Sequence, residues 1–351
     1  MRKWMVLLFS ILIVIFIFLL GMKYIFPHDK LVHDSEQEGL NEQIVLKFSH
    51  VVAENTPKGL AAKKFADIVY KKSDGKIRVE VFPNGMLYSD IEEISALKEN
   101  KIQIIAPSTS KLGSLSSKWG VLDLPFAFPN YEAVQKGLNG KIGHLLLQSL
   151  EKDQMKGLAY WTNGFKQFTS NKGPIIFPND IKGQTFRIMQ SQVLKSQFDQ
   201  LDAKSIQQAF DITFQSLQSG EIDGEENTLS NIYSKKFYNL QRYLTISNHG
   251  YLGYVVLMDQ SFWNKQSEQT QQILTEAMAE TTAWNQQQAE KLNEEQLQLI
   301  RKKSSIQIHE LTDEERKVWT KKLYPLYDKL APIIGKDLVE EMKKLRDQYD
   351  H

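Results

Sequence analysis

Cysteine is absent from this sequence of 351 residues. Its absence excludes disulfides, thiolate metal sites, cysteine nucleophiles and lipid-modified cysteines. An excess of one charge is lacking too, because 43 basic and 42 acidic side chains leave a formal net charge of +1. The charge pattern of a nucleic-acid-binding protein is therefore missing, and the seven histidines show no metal-ligand spacing. We expect no nucleic-acid partner, no metal and no cofactor.

The bulk composition is that of a folded protein. Apolar residues make up 42% of the chain and charged residues 24%, which are values typical of globular domains. A chain of this length can form two domains of ordinary size, each with its own core. Wholesale disorder is therefore excluded.

The N-terminal residues have the pattern of an export signal. Two basic residues precede an apolar run from Met5 to Leu20, and such a segment directs a chain across the membrane. No small-x-small cleavage site follows, and the run is just long enough to span a bilayer. We therefore predict an uncleaved signal-anchor segment over residues 1–22, embedded through residues 5–22, and a polar tether over residues 23–43. A cleaved signal peptide is the alternative, and both interpretations place the rest of the chain outside the cytoplasm.

Strand and helix patterns alternate from residue 44 onward. Thr56 followed by Pro57 is typical of a helix start, and Ser89 with Glu92 forms a capping-box pattern for a second helix. Strand patterns cover Ile44–Phe48, Ile77–Phe82 and Ile102–Ala106. This β-α-β-α-β succession predicts an α/β domain with a largely parallel sheet.

A second α/β domain is predicted further along the chain. Helical patterns cover Tyr131–Lys152, Ser191–Leu201 and Ile212–Gln218, and strand patterns cover Gly157–Trp161, Thr185–Met189 and Ser247–Leu257. Asn163 and Lys166 are expected in a loop that follows the first of these strands. The last strand is long enough to pass from one domain towards the other.

The segment Gln260–Lys303 strongly favours a helix. It is rich in Glu, Gln, Ala and Leu, and it exceeds the usual length of a globular helix. Apolar a and d positions do not persist along it, so we expect packing across both domains in preference to a coiled coil.

One arginine stands in an otherwise apolar strand pattern, at Arg187. Arginine is almost never buried without a partner, and no carboxylate lies close by in sequence. A guanidinium group can hold a carboxylate through two parallel hydrogen bonds. Its partner is therefore either an anionic small molecule or a distant Asp or Glu, and the residues alone leave both open.

Eleven short motifs occur in one order between about residue 44 and the C-terminus. They are Lys47–Val51, Pro57–Gly59, Val79–Asn84, Ala106–Ser108, Asp123–Phe126, Trp161–Asn171, Asp180–Gly183, Phe186–Ile188, Asp223–Asn227, Lys235–Tyr238 and Ser247–Gly250. Together they resemble the solute-binding subunits of tripartite ATP-independent periplasmic (TRAP) transporters of the DctP type. Each motif is weak by itself, and their shared order carries the resemblance.

The resemblance implies an α/β, two-lobed fold like that of periplasmic binding proteins. It has a ligand cleft, crossing strands and a long helix that spans both lobes. Residues 44–351 would then form the solute-binding domain. Lobe 1 is expected at about 44–125 with part of 210–260, lobe 2 at about 126–250, and the helices of 260–351 are expected to pack across both.

The resemblance also implies roles for individual residues. Arg187 corresponds to the arginine that pairs with the ligand carboxylate, and Asn227 to an asparagine that hydrogen-bonds the same group. Lys166 lies where sialic-acid-binding relatives carry a second arginine, and a solvated loop lysine is the alternative there. Glu225 replaces a glutamine that is common in the family, and we expect it to face away from an anion.

Five further residues are candidates for the cleft lining. His50 and Ser108 follow strands at their carboxyl ends, where ligands of α/β proteins collect. Trp161, Asn163 and Phe210 are candidate walls of the cleft. A structural histidine and ordinary core packing are the alternatives for these residues.

The function implied is reversible capture of a C4-dicarboxylate, such as succinate, fumarate or malate, outside the cytoplasm. Closure of the two lobes around the ligand would then be recognised by a TRAP membrane permease. Presentation of ligand occupancy to a membrane sensor kinase or carrier is the alternative. An enzyme that uses His50 with a carboxylate is disfavoured, because no constellation of nucleophile and base accompanies it.

Overall fold

The computed structural model of this protein describes residues 43–350. The anchor predicted over residues 1–22 lies outside the described residues, as does all of the tether predicted over residues 23–43 except Gln43. The chain from Ile44 onward forms one compact unit. Within the described range, no helix combines the length and the apolar character needed to cross a bilayer.

Strands and helices alternate along most of this range. The strands are β1 (Ile44–Ser49), β2 (Ile77–Phe82), β3 (Ile104–Ile105), β4 (Met155–Ser170), β5 (Thr185–Ile188), β6 (Lys204–Gln207), β7 (Gly224–Thr228), β8 (Tyr243–Asp259) and β9 (Gln307–Glu310). The helices are α1 (Pro57–Lys72), α2 (Glu93–Lys98), α3 (Tyr131–Asn139), α4 (Lys141–Gln148), α5 (Gln192–Gln200), α6 (Thr213–Ser219), α7 (Leu229–Ser234), α8 (Gln260–Asn264), α9 (Glu268–Lys303), α10 (Asp313–Leu323), α11 (Pro325–Ile334) and α12 (Lys336–Tyr349).

The strands form one mixed sheet in the order β2-β1-β3-β8-β4-β7-β5-β6, and β9 pairs with β8. On one flank β1 pairs in parallel with β2 and β3, and on the other β5 pairs in parallel with β6 and β7. Between the flanks, the long strands β4 and β8 run antiparallel to each other. The two α/β flanks and the crossing strands confirm the predicted two-lobed fold class.

Strand β4 is much longer than the predicted Gly157–Trp161. The prediction of a loop around Asn163 and Lys166 is wrong, because both residues lie inside the strand. Gly164 has a φ of +144° in the middle of β4 and meets a shift in the register with β8. A glycine at such a φ allows a bulge without ending the strand.

Two helix predictions are also corrected. The predicted helix Tyr131–Lys152 is broken at Gly140, whose backbone is extended, so that α3 ends and α4 begins there. The predicted helix Gln260–Lys303 is divided before Ser267, whose hydroxyl accepts a hydrogen bond from the Thr270 amide and caps α9. A capping serine favours a new helix start over continuation.

The helix start predicted at Thr56 is confirmed, and a second local capping signal is present at Thr312. The Thr56 hydroxyl accepts a hydrogen bond from the Gly59 amide at the start of α1, with Pro57 in the first turn. Thr312 and Glu315 form the complete capping box of α10. Each signal acts within a few residues, so it can be recognised in the sequence.

Helix α9 is the long helix expected from the sequence, with 36 residues. It packs against α1, β4 and α7, and so it contacts both flanks of the sheet. The Asn285 side chain pairs with both backbone groups of Thr162, at 2.7 and 3.1 Å, and Asn293 donates to the Asn163 carbonyl at 2.7 Å. These bonds hold α9 against the middle of β4.

Candidate ligand-binding site

A small cavity lies between the β1–β3 flank and the β5–β7 flank. Its apolar lining includes Phe210 and Tyr254. Its polar and charged lining comprises Lys58, Asp90, Glu93, Ser108, Lys111, Arg187, Glu226, Asn227 and Asn231. A small apolar space with convergent charged groups is the form expected of a site for a small organic ion.

Arg187 lies in β5 and is 2% exposed. Its Nε and Nη2 donate to the Gln208 carbonyl at 3.2 and 2.9 Å. Among residues 43–350 no carboxylate lies within ion-pair distance of the guanidinium group, and Nη1 makes no hydrogen bond. Burial lowers the pKa of Arg187, although Asp90 and Glu225 oppose that shift. The distant Asp or Glu considered from the sequence is therefore not found in the described chain, and one end of the guanidinium group remains available in the cavity.

Asn227 lines the same cavity at the end of β7. Its Nδ2 donates to Glu225 at 3.0 Å, and its Oδ1 accepts from the Asn231 side chain at 2.7 Å and from the Thr228 amide at 3.1 Å. These bonds fix the amide plane beside Arg187. Nδ2 carries two N–H donors, so a ligand carboxylate can accept from the one that Glu225 does not use.

Glu225 is fully buried and does not line the cavity, in agreement with the expectation that it faces away. Besides Asn227, it accepts a hydrogen bond from the Thr169 hydroxyl at 3.3 Å. Burial raises the pKa of Glu225 to about 7, although Asn227 and Arg187 favour its ionised form. The carboxyl group therefore lies behind the site.

Lys166, predicted as a second cation at the ligand, does not line the cavity. Its side chain is 1% exposed, and Nζ lies 2.7 Å from Glu226 Oε1. A Cβ atom at position 250 would lie 2.6 Å from Lys166 Cε, so the glycine there makes room for the lysine stem. The positive charge of Lys166 therefore balances a carboxylate of the cavity wall.

Glu226 is held by two further residues. Its Oε2 lies 2.9 Å from His249 Nε2, and His249 Nδ1 lies 2.7 Å from Ser247 Oγ. Burial lowers the pKa of His249, so the neutral ring donates from Nε2 and accepts from Ser247 at Nδ1. Burial opposes ionisation of Glu226 as well, but Lys166 and His249 outweigh it and lower the pKa of Glu226 to about 2. The wall thus contains an ionised carboxylate whose charge is already neutralised.

Three other candidates also lie outside the cavity. The His50 ring is buried beside a separate hollow, and burial with nearby Lys58 lowers its pKa to about 3, so it stays uncharged. Trp161 stacks on Phe48 with ring centroids 5.8 Å apart and belongs to the core. The Asn163 side chain donates to Thr228 at 2.6 Å. The structure thus places these three residues in the positions that the structural alternatives describe.

Four predicted residues are brought together in the cavity: Ser108, Arg187, Phe210 and Asn227. Ser108 pairs with Tyr254 of β8, and its hydroxyl makes no hydrogen bond within the described residues. The Phe210 ring lies 5.8 Å from the Arg187 guanidinium carbon. Cationic, amide, hydroxyl and aromatic groups thus share one small space.

A family model described as bacterial extracellular solute-binding protein, family 7 (DctP), matches residues 48–332. The matched span includes every residue that lines the cavity. This chain belongs to the DctP family. Its membership confirms the resemblance to TRAP solute-binding subunits.

This DctP-family chain is similar to two C4-dicarboxylate-binding proteins and to a structure with bound succinate. It is 62% identical to the C4-dicarboxylate-binding protein DctB of Bacillus subtilis (strain 168), over 90% of this chain and 91% of the relative. It is 41% identical to the C4-dicarboxylate-binding periplasmic protein DctP of Rhodobacter capsulatus, over 87% and 91%. It is also similar to the crystal structure of a TRAP periplasmic solute-binding protein of Sulfurospirillum deleyianum with bound succinate, with a TM-score of 0.84 and 40% identity, covering 86% of this chain and 99% of that one.

Sequence reasoning missed the cations that this DctP-family protein presents from the β1–β3 flank. Lys58 in the first turn of α1 is 1% exposed, and its Nζ donates to the Ala106 carbonyl at 2.8 Å and lies 3.8 Å from the Tyr254 ring centroid. Burial lowers the pKa of Lys58 to about 8, although Glu93 opposes the shift. The motif Pro57–Gly59 contains this lysine, so its signal was present and was read only as a helix start.

Lys111 and Asp90 were missed for a different reason. The Lys111 Nζ lies 2.5 Å from Asp90 Oδ2, which also accepts a hydrogen bond from the Phe210 amide at 3.3 Å. Asp90 follows β2 and Phe210 follows β6, on opposite flanks of the sheet. No local pattern indicates such a contact, because it joins residues 120 positions apart.

Proposed function

We propose that this DctP-family protein reversibly captures a C4-dicarboxylate, such as succinate, fumarate or malate, outside the cytoplasm and delivers it to a TRAP membrane permease. The observation that carries the proposal is Arg187, a fully buried arginine that faces a small cavity without an ion-pair partner in the described chain. Such a group requires an anion, and a guanidinium group matches a carboxylate geometrically.

The second carboxylate is proposed to lie towards Lys58. Lys111 and Glu226 have ion-pair partners at 2.5 and 2.7 Å, whereas Lys58 is bound only to a carbonyl and an aromatic face. Arg187 and Lys58 come from opposite flanks of the sheet, so a ligand with two carboxylates can bridge them. The succinate-bound structure and the two C4-dicarboxylate-binding relatives support this ligand class.

Ligand capture is proposed to hold the two flanks together. The cavity already has one direct contact across it, from Asp90 to the Phe210 amide. A dianion that pairs with Arg187 and Lys58 adds a second and stronger connection, and it makes both only when the flanks are close. The permease would then recognise the closed form. Binding requires no chemical change in the ligand.

An extracytoplasmic location fits the family description and the periplasmic relative. We propose in addition that residues 5–22 tether the protein to the membrane. The full chain should then stay in the membrane pellet after an alkaline wash, and a variant without residues 1–22 should not. N-terminal sequencing of the exported protein that begins after residue 22 would instead show a cleaved signal peptide.

Calorimetric titration of residues 44–351, which form one compact unit, tests the ligand. The panel is succinate, fumarate, malate, lactate, pyruvate and sialic acid. We expect the three dicarboxylates to bind at least tenfold more tightly than the monocarboxylates, since only they reach both cations. Equal affinity for lactate or pyruvate would contradict the role of Lys58, and no binding of any dicarboxylate would contradict the proposed function.

A further inference from the structure

We propose that Glu93 acts as a protonated carboxylic acid in the ligand-bound protein and donates a hydrogen bond to the ligand carboxylate that lies towards Lys58. This inference rests on the proposed capture of a dicarboxylate. It assigns Glu93, the first residue of α2, as a specificity-determining residue that distinguishes dianions from other organic acids.

The position of Glu93 is unusual for a glutamate. It lines the cavity with 0% of its surface exposed, and no ion pair to it is found among residues 43–350. Its Oε1 accepts only a long hydrogen bond from the Ser49 hydroxyl, at 3.4 Å, and its Oε2 has no hydrogen-bond partner in the described chain. A buried oxygen without a partner in a ligand cavity is a group placed to contact the ligand.

Four charged or titratable side chains, each from a different part of the chain, face Glu93. The titratable and charged groups that face it are Lys58 from α1, Asp90 from the segment after β2, Lys111 from the segment after β3, and Tyr254 from β8. Asp90 and Lys111 neutralise each other at 2.5 Å. Lys58 is therefore the one nearby cation of this set whose charge is not already balanced by an ion pair.

The balance of charges in the ligand-bound cavity requires Glu93 to carry a proton. Two pairs cancel, Lys111 with Asp90 and Lys166 with Glu226. Arg187 and Lys58 remain, and together they balance the two charges of a dicarboxylate. An ionised Glu93 would leave one negative charge unbalanced in a buried site, which is strongly unfavourable. With Glu93 protonated the bound site is neutral, and its hydroxyl hydrogen gives the ligand a donor.

The pKa of Glu93 agrees with this arrangement. Burial raises it to about 8, although Lys58 favours the ionised form. A bound anion raises the pKa of Glu93 further, so affinity is full below about pH 8 and falls as the pH rises above it, by up to about tenfold per pH unit. Lys58, with a pKa of about 8, adds to the same trend because its deprotonation removes a cation. A Glu93 variant is therefore needed to separate the two groups.

The effect of Glu93 can be separated from that of Lys58 by calorimetric titration with succinate at about pH 7 and about pH 9. The proteins compared are wild type, Glu93→Gln and Glu93→Met. The glutamine keeps a donor, and the methionine keeps the length without one. At about pH 7 we expect a loss of about threefold for Glu93→Gln and of tenfold or more for Glu93→Met. At about pH 9 Glu93→Gln should bind more tightly than wild type. Glu92→Gln is the matched control, because Glu92 is exposed and bonds Ser89 outside the cavity.

Three results would overturn the proposal. Tenfold tighter binding of Glu93→Gln at about pH 7 would mean that wild-type Glu93 is ionised, and wild-type affinity of Glu93→Met would mean that it does not contact the ligand. If either variant fails to fold, calorimetry of wild type at about pH 9 in buffers of different ionisation enthalpy decides the question: binding must take up more than one proton, because Lys58 alone accounts for at most one, and uptake of one proton or fewer refutes protonation of Glu93. Wild type that binds no dicarboxylate at all would instead refute the proposed function.

Discussion

Replacement of Arg187 by methionine separates its role in binding from its role in folding. The change removes a charge-assisted bidentate contact worth roughly 2–5 kcal/mol, so affinity for dicarboxylates should fall by about 30-fold to several thousandfold. Arg187→Lys should lose less, because lysine keeps the charge and loses the planar fork. Stability should respond differently, since the buried guanidinium group has no ion pair in the described chain and is held by one carbonyl. Removing an unbalanced buried charge offsets the lost hydrogen bonds, so the thermal midpoint of the ligand-free variant should not fall.

Calorimetry and thermal unfolding with and without succinate measure both effects. Wild type should be stabilised by the ligand through mass action, and Arg187→Met should show no ligand-dependent shift. Arg78→Met is the control, because that side chain is 58% exposed in β2 and lies outside the cavity. Affinity of Arg187→Met within threefold of wild type would refute the reasoning, as would a large loss of stability in the ligand-free variant.

Three further predictions concern the groups around the cavity. Lys166→Met leaves Glu226 buried without its cation, so the free energy of unfolding should fall by roughly 3–5 kcal/mol, and the affinities for mono- and dicarboxylates should fall alike. Chemical denaturation measures the first effect and calorimetric titration the second. A selective loss of affinity for dicarboxylates would restore Lys166 as a ligand contact. Asp90→Asn weakens the contacts with Lys111 and the Phe210 amide, so the ligand should dissociate about tenfold faster in stopped-flow measurements, and an unchanged rate would argue against a connection across the cavity. The folded-state pKa of Glu226, about 2, lies below its unfolded value of about 4.3. The stabilising contribution of Glu226 is therefore present above about pH 4 and lost as the pH falls towards 2. Glu226→Gln should flatten that part of a plot of the free energy of unfolding against pH.

Arg187 shows what could be predicted from the residues. An arginine in an apolar strand, without a carboxylate near it in sequence, indicates a buried cation that needs an anion, and the structure places it in the cavity. Helix caps were equally readable, since the Thr56 hydroxyl bonds an amide three residues away. Such signals are confined to one element or one turn, and they do not depend on the rest of the fold.

Lys166 shows why the rest of the site could not be predicted. Side chains alternate between the faces of a strand, so one extra residue reverses every orientation that follows. The register of β4 and β8 shifts three times, and two of these shifts flank Lys166. The pairs Lys166–Glu226 and Lys111–Asp90 depend on this register and on the approach of distant segments. Neither property can be read from spacing.

Strands β4 and β8 join the two flanks of the sheet, so any motion that opens the cavity has to bend them. A ladder bends most easily where its hydrogen bonds are interrupted, and here the interruptions lie between Gly157 and Ala159, Thr162 and Gly164, and Lys166 and Phe168. Helix α9 braces the middle one through Asn285 and Asn293. We therefore expect the two strands to bend at the two outer interruptions and to stay straight at the middle one. Strands that are bent when the cavity is closed would tend to straighten, and this would favour opening and release of the ligand.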